Sequence, residues 1–213
     1  MLPATPIITI GAPLIELSLV DSTNIYAMEQ IQLGQAISGS CYTTPFQTQG
    51  KGQHGRVWES EKGQNLLCTY VLELKQLNPS KNWGPDDQKG LSAAVAIAAK
   101  SFFGQHAGEE TLIKLPNDIY WRDRKAGGIL IENILRGTEW TWTVIGIGLN
   151  INQTNFSPDA PNPVSLQQIT GRKWEITRLQ TELSKALTES IQDWIQVGDA
   201  ATIEKMKPLW TSS

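Results

Sequence analysis

The sequence predicts an α+β fold in which helices pack on a mixed β-sheet. Strand-like and helix-like segments alternate irregularly along the 213 residues, and several strand patterns follow one another closely enough to pair as hairpins. A long amphipathic helix pattern near the C-terminus supplies an apolar face that a sheet can cover. The chain is long enough to bury a core, and we expect residues 1–213 to form one domain.

The first third of the chain predicts two strands and one helix around a glycine-rich segment. Residues 14–20 (LIELSLV) read as a strand, and a helix is expected after Asp21–Asn24 because its short polar side chains are favourable N-caps. Residues 36–46 are rich in Cys, Tyr and Thr and are expected to be extended. Residues 65–74 (NLLCTYVLEL) form a clear strand pattern.

In the remainder of the chain, apolar periodicity again predicts the helices and strands, and residues such as proline indicate where they end. An alanine-rich run predicts a helix, Pro116 ends a short strand, and leucines at helical spacing predict the amphipathic helix. The predicted elements are a loop at 78–87, a helix at 88–103, strands at 111–115, 118–121, 127–135 and 141–152, a turn at 122–125, a loop at 155–165, a helix at 177–195 and a short helix ending near Lys207.

Composition excludes several classes of protein. A net charge of −3 without a Lys/Arg-rich run gives no basic face for nucleic acid. The sequence has no 18-residue apolar run and no signal-peptide pattern at its N-terminus, so we expect no membrane segment and a cytoplasmic protein. Cys41 and Cys68 allow at most one disulfide, and with His54 and His106 they show no metal-ligand spacing.

The glycine-rich stretch TQGKGQHGRVWES (residues 48–60) matches G-x-G-x-x-G. The sequence around it, however, lacks the features that the three standard phosphate-binding motifs require. No helix pattern follows it, the kinase catalytic motifs are absent, and the P-loop ending is missing. Its chemistry still suits an anion: freed amides bind anions, Lys51 and Arg56 suit phosphate or carboxylate, and Trp58 can stack on a base. The alternative is a basic surface loop with Trp58 in the core.

A second polar constellation follows the strand that ends at Pro116. Asn117 and Asp118 sit at a bend where functional groups commonly project. Lys125 precedes Ala-Gly-Gly and the apolar residues 129–131, so its side chain can reach a pocket from the edge of a buried strand. The alternatives are a turn cap for the first two residues and an ordinary solvated turn for the lysine.

Together these stretches resemble the biotin protein ligases. Four motifs occur in the family's order: DSTN (21–24), GKGQHGRVW (50–58), KLPNDIYWRDRKAGGILIE (114–132) and GIGLNIN (146–152). The resemblance covers about residues 14–210. It implies a biotin/lipoate ligase catalytic domain with a fold like that of the class II aminoacyl-tRNA synthetases.

The resemblance also implies roles for individual residues. Those implied to bind biotin are Ser22, Thr23, Asn24, Gln47, Lys51, Gly52, Gln53 and Lys125. Those implied to bind ATP or the adenylate are Lys51, Arg56, Trp58, Asn117, Lys125 and Asn150. The implied catalytic residues are Lys125 and Arg56, which stabilise the phosphate, and Asp118, which accepts a proton in the transfer step.

The activity implied by the resemblance is ATP-dependent formation of biotinyl-5'-AMP, followed by transfer of biotin to a lysine of a biotin carboxyl carrier protein. Mg²⁺ would be held mainly by the ATP phosphates rather than by a protein metal site. The sequence departs from the family's commonest loop, Gly-Arg-Gly-Arg-Arg-Gly-Arg, because Lys51, Gln53 and His54 replace three arginines.

The sequence also leaves some alternatives open. Many members carry an N-terminal winged-helix domain that acts as a repressor. Only about 14 residues precede the first strand here, so we expect this domain and its repressor function to be absent. We also expect the C-terminal SH3-like barrel to be absent. A lipoate ligase would share the fold but need an elongated apolar slot, whereas Gln47 and Ser22–Asn24 suit a polar ureido ring. A non-catalytic biotin-binding protein would bind biotin without consuming ATP. The sequence does not specify an oligomeric state.

Overall fold

The computed structural model describes residues 9–211, and within them the predicted mixed sheet with packed helices is confirmed. The described residues form one eight-stranded sheet in the order β1-β2-β3-β7-β6-β5-β4-β8. The strands are β1 (Leu14–Glu16), β2 (Cys41–Thr43), β3 (Leu66–Glu73), β4 (Thr111–Lys114), β5 (Asp118–Trp121), β6 (Arg124–Arg136), β7 (Glu139–Leu149) and β8 (Trp210–Thr211).

The sheet is mixed because β1 pairs with β2, and β4 with β8, in parallel, while the other neighbouring strands are antiparallel. β3, an interior strand between β2 and β7, is buried along nearly its whole length. Such continuous burial follows from coverage of both faces, which explains why its sequence is apolar without clean alternation.

One face of the sheet carries the main core. The helices are α1 (Thr23–Gln32), α2 (Leu74–Leu77), α3 (Gln88–Ala107), α4 (Leu166–Thr170), α5 (Ile176–Val197) and α6 (Asp199–Met206). α3 and α5 pack against each other and cover this face. The stripe of α5 that the sequence predicted, from Leu179 through Leu187 to Trp194, is buried here.

The opposite face carries α1 over a smaller cluster formed by Ala27, Tyr42, Val71 and Val144. α1 contacts β2, β3 and β7. Because this one helix covers only part of the face, the glycine-bearing parts of β6 and β7 border a pocket beside it.

The structure shortens two of the predicted strands and moves one boundary. The strand predicted at 14–20 ends at Glu16, and Val20 only forms an isolated bridge with Gln47. Within the extended segment 36–46, only Cys41–Thr43 is a strand. The turn predicted at 122–125 is shorter, because β6 already begins at Arg124 and therefore contains Lys125.

Other expectations concern the termini and the cysteines. Most of the N-terminal segment tested for a signal peptide, residues 1–8, and the last two residues lie outside the described part of the chain. Cys41 and Cys68 are both free and buried, so the disulfide that the sequence allowed is not formed. Burial raises the pKa of the Cys68 thiol well above its ordinary value. No helix among residues 9–211 combines the length and the apolar character needed to cross a membrane.

Candidate active site

A cavity of about 710 Å³ opens beside α1 on the face opposite the main core. It brings together residues from distant parts of the sequence, and every residue predicted for binding or catalysis lines it. These residues are Ser22, Thr23, Asn24, Gln47, Lys51, Gly52, Gln53, Arg56, Trp58, Asn117, Asp118, Lys125 and Asn150.

One end of the cavity is polar and buried. The Oε1 atom of Gln47 accepts a hydrogen bond of 2.8 Å from the backbone N–H of Thr23, at the start of α1. This bond turns the Gln47 side chain so that its Nε2 group, which has no acceptor among the described residues, remains a free donor. Ser22 is the N-cap residue of α1, but its hydroxyl makes no capping hydrogen bond and is also free for a ligand.

Asn24 lies at the same end, but its amide is fully engaged by protein. Its Nδ2 group donates to the Glu132 carboxylate at 2.8 Å and to the Leu130 carbonyl at 3.3 Å. Its Oδ1 atom lies 2.7 Å from the Thr69 hydroxyl. Asn24 therefore ties α1 to β6 and β3, a role in the pocket wall that the sequence did not indicate.

Trp58 lies on the sheet where two strands carry glycines. A Cβ atom at Gly148 would come within 2.7 Å of the indole, and one at Gly128 within 3.2 Å. Both positions therefore admit the flat ring only because they lack a side chain. Trp58 borders the cavity rather than filling the main core, and its buried Nε1 donor has no described partner.

Lys125 reaches the pocket because β6 contains a bulge. Tyr120 of β5 pairs with Lys125 and Ile119 pairs with Gly127, which leaves Ala126 as an extra residue on β6. Ala126 is buried in the main core, and a side chain at Gly127 would run into the core residue Leu149. Two consecutive residues thus face the core, and the side chain of Lys125 points to the opposite side. Bulges near active sites commonly redirect a side chain in this way.

The charged end of the cavity centres on an ion pair. Lys125 Nζ lies 2.8 Å from Asp118 Oδ1, and the two side chains are 20% and 21% exposed. The same ammonium lies 5.9 Å from the Trp58 ring centroid. Lys114, which the sequence placed in the motif without a role, also lines the cavity and lies 4.9 Å from the Tyr120 ring centroid.

The glycine-rich stretch forms a tight hairpin that lines the cavity. Lys51 and Val57 bridge in antiparallel fashion, and the Gly52 N–H donates to the Arg56 carbonyl at 2.7 Å. Gly55 turns the chain at φ +76°, a region that disfavours other residues. The hairpin carries the Lys51 and Arg56 cations to the rim of the cavity, where both residues are exposed.

Asn117 and Asn150 combine a structural bond with a free acceptor. Asn117 Nδ2 donates to the Ile129 carbonyl at 2.6 Å, and Asn150 Nδ2 donates to the carbonyls of Val164 at 3.2 Å and Lys125 at 3.3 Å. Neither side-chain oxygen has a described protein partner. Each oxygen is therefore available to accept a hydrogen bond from a ligand.

One wall of the cavity was not anticipated from the sequence. The sequence predicted only a loop after β7, yet Phe156, Asp159 and Pro161 from that loop line the cavity. The Lys125 N–H donates to the Asn162 carbonyl at 2.8 Å, and this bond fastens the loop to β6. Three prolines signalled a loop, but no local signal gives its pairing with a strand almost forty residues earlier.

The described residues contain no cluster of three or more His, Cys, Asp or Glu side chains suited to hold a metal ion. The cavity does carry the Glu59, Asp118 and Asp159 carboxylates. Mg²⁺ commonly binds through one or two carboxylates plus substrate phosphates. These carboxylates would suit a magnesium ion that is shared with substrate phosphates.

Comparisons with known proteins point in one direction. Residues 16–150 match the model of the biotin/lipoate A/B protein ligase family. The chain is 29% identical over 195 residues to the bifunctional ligase/repressor BirA of Salmonella typhimurium, covering 91% of this chain and 58% of that protein. It is 30% identical over 205 residues to BirA of Bacillus subtilis, covering 95% and 59%. The chain thus spans about three fifths of the length of these relatives.

The fold matches solved structures as well. The biotin protein ligase from Aquifex aeolicus, solved in complex with biotin and ATP, superimposes with a TM-score of 0.76 at 23% identity. The match covers 92% of this chain and 78% of that one. This likeness establishes the shared fold of the two chains.

Proposed function

The chain belongs to the biotin/lipoate A/B protein ligase family, and from that premise we propose that it activates biotin as biotinyl-5'-AMP and transfers it to a lysine of a biotin carboxyl carrier protein. The observation that carries the proposal is the union, in one cavity, of a neutral polar end and a cationic end beside an aromatic ring. A molecule with a polar head, an acyl chain and a nucleotide would use both ends at once.

The neutral end suits a cyclic urea. Gln47 offers an Nε2 donor for a urea carbonyl, and the Ser22 hydroxyl can bond the same head group. A site built from such groups rejects a ligand that offers them no hydrogen-bonding partner, because the polar atoms of the site would then stay buried without hydrogen bonds. The dithiolane of lipoate lacks those partners, so this end favours biotin.

The first step needs positioning and positive charge rather than a base. The biotin carboxylate, ionised near neutral pH, attacks the α-phosphorus of ATP; the new O–P bond forms as the bond to pyrophosphate breaks. Lys125 stabilises the charge that develops on the α-phosphate, and Arg56 and Lys51 add charge from the hairpin. Magnesium bound to the ATP phosphates would supply further neutralisation there, with Asp159 or Glu59 as the available carboxylates.

The nucleotide would lie near Trp58. Its ring offers a face to the adenine, and the free oxygens of Asn117 and Asn150 can accept hydrogen bonds from the nucleotide. The rigid anchoring of both amides to backbone carbonyls would hold these acceptors in place.

The second step is attack by a lysine amine of the carrier on the carbonyl of the mixed anhydride, which releases AMP. The amine must lose a proton, and Asp118 is our candidate acceptor. Its partner Lys125 would turn toward the adenylate phosphate, so that the carboxylate is released from the ion pair when the intermediate has formed.

The test is a complete reaction with defined components. The chain, biotin, Mg-ATP and a carrier domain should give a carrier whose mass rises by one biotinyl group, with one AMP formed per biotin transferred. Lys125→Ala should slow the gain at least about 100-fold, whereas Lys185→Ala, which removes an ammonium 79% exposed on α5, should leave its rate unchanged. Modification by lipoate instead of biotin would favour the lipoate alternative. Biotin binding without ATP consumption would indicate a non-catalytic binding protein.

A further inference from the structure

The part of β6 that carries Lys125 extends beyond the end of its neighbour β7. β7 pairs with β6 only as far as Leu149, which lies opposite Gly127. On the other edge of β6, Tyr120 of β5 is the partner of Lys125. A strand edge without a neighbour leaves its backbone N–H and C=O groups unpaired. The second partner of this bulged segment must therefore come from outside β7.

The loop after β7 supplies this partner as a short parallel segment. Lys125 and Pro163 form a parallel bridge. The Lys125 N–H donates to the Asn162 carbonyl at 2.8 Å, and the Lys125 carbonyl accepts a hydrogen bond from the Val164 N–H at 2.9 Å. These bonds use the two neighbours of Pro163 and not its own nitrogen, so a proline fits here although it has no N–H. Both backbone polar groups of Lys125 are thus bonded to the loop.

Asn162 makes this pairing from an unfavourable backbone conformation. Its φ is +42°, in the left-handed region, which asparagine enters more readily than most residues but still uncommonly. The proline that follows normally favours an extended conformation with negative φ at this position. Strain of this kind persists only where the surrounding structure over-determines it, and it clusters at functional sites. The carbonyl of this strained residue is the one that accepts the Lys125 N–H.

Side chains of the turn before β6 hold the loop in place. Asn162 Nδ2 donates to the Asp123 carbonyl at 3.1 Å and to its carboxylate at 3.2 Å. The Arg124 guanidinium donates to the Pro163 carbonyl at 2.5 Å. Asn162 is exposed and does not line the cavity, so contact with a substrate does not explain its conformation. Its contacts lead instead to the turn and the strand that carry Lys125.

We propose that Asn162 is a positioning residue, whose left-handed backbone turns its carbonyl toward Lys125 and fixes the bulged segment from which the ammonium reaches the α-phosphate. The inference rests on the proposed function and deepens it. Reaction rates respond steeply to such positioning, because a displacement of about 1 Å can cost about 100-fold in rate. Asn162 should therefore affect the rate of adenylate formation more than the affinity for biotin.

The experiment separates the backbone conformation of Asn162 from its side chain. Pyrophosphate release at saturating biotin and Mg-ATP gives kcat, and calorimetry gives the Kd for biotin. Asn162→Val should lower kcat about tenfold or more and leave the Kd within twofold, because a β-branched residue disfavours positive φ. Asn162→Gly should keep kcat within threefold of wild type, because glycine adopts this conformation freely and the backbone bond to Lys125 remains. A role of the side chain alone would not give this rescue by glycine.

A matched control places the same strain at the other end of β6. Gly137 has a φ of +63° in the turn between β6 and β7, and a Cβ atom there would meet no neighbouring atom. Gly137→Val should lower the melting temperature by about 2–8 °C, as Asn162→Val does, and leave kcat unchanged. Asn162→Ala is a milder change that should lower kcat about fivefold, and it replaces the valine variant if that variant does not fold. Melting followed by circular dichroism establishes which variants fold.

The outcomes separate this inference from the proposed function. A kcat within twofold of wild type in folded Asn162→Val, or in Asn162→Ala where the valine variant does not fold, overturns the positioning role. A loss in Asn162→Gly as large as in Asn162→Val overturns it too, and so does an equal loss in Gly137→Val. In each of these cases wild type still releases pyrophosphate, and the proposed function stands. A wild type that releases no pyrophosphate from biotin and Mg-ATP overturns the proposed function and this inference with it.

Discussion

Replacement of Lys125 by alanine tests the cationic end of the site most directly. The change removes the ammonium that we assign to the α-phosphate and leaves Asp118, 2.8 Å away, without its partner. The free carboxylate then faces the incoming phosphates. Two effects of the same sign therefore act on adenylate formation: a stabilising charge is lost and a repulsive charge is exposed.

The structure sets the scale of each effect. Loss of one preorganised stabiliser of developing charge typically lowers the rate about 100- to 1000-fold. Residues in direct contact show coupling energies of about 0.5–3 kcal/mol, and ~1.4 kcal/mol corresponds to a factor of ten. We therefore expect Lys125→Ala to slow adenylate formation at least about 100-fold, and the added change Asp118→Asn to recover about tenfold of that loss.

The assay is pyrophosphate release from biotin and Mg-ATP without a carrier, so that a role of Asp118 in transfer does not enter. Folding is checked by thermal melting. The pair is about one-fifth exposed, between surface and buried pairs, so we expect Lys125→Ala to cost ~1–2 kcal/mol. That corresponds to roughly 2–8 °C for a chain of this size. Release near the wild-type rate, or no recovery in the folded double variant, would refute the reasoning.

Three further changes test other parts of the site and fold. Trp58→Ala should raise the KM for ATP by about tenfold or more while the Kd for biotin changes less than threefold, since base stacking contributes ~1–3 kcal/mol; equal effects on both would contradict the assignment. Deletion of Ala126 should remove the bulge and turn Lys125 toward the core, so pyrophosphate release should fall about 100-fold while calorimetric biotin binding persists; retained release would show that the bulge does not aim the lysine. The Arg178 guanidinium lowers the pKa of the Glu182 carboxyl, so its stabilising effect is present above the ordinary pKa and is lost as pH falls through the lowered one. Between about pH 5 and pH 3, the melting temperature of wild type should therefore fall further than that of Glu182→Gln. Parallel curves of melting temperature against pH would disprove this link.

Local patterns in the sequence predicted most of the elements. The stripe of α5 from Leu179 to Trp194 and the apolar run of β3 are both visible as periodicity, because burial acts on every turn or every residue of such a segment. The strand at 14–20 was too long, since only three residues at its start find a partner on β2. Apolar composition alone does not reveal where a neighbouring strand ends.

The site was predicted through motifs rather than through geometry. Alternation along β6 would have placed Lys125 on the core side, because Gly128 and Leu130 border the cavity while Ile129 packs in the core. Only the bulge at Ala126 reverses this, and a bulge depends on the register with β5. The hydrogen bond between Asn24 and Glu132 was hidden for a similar reason, since the two residues are 108 apart in sequence.

β6 connects the two chemical ends of the cavity. Lys125 and Glu132 stand on the same strand, and six regular steps at ~3.3 Å separate them by about 20 Å. Glu132 anchors Asn24, and through it the start of α1, so the groups that would bind the head are held at a fixed distance from the ammonium. A hydrogen-bonded strand between β5 and β7 cannot change this distance without losing its register.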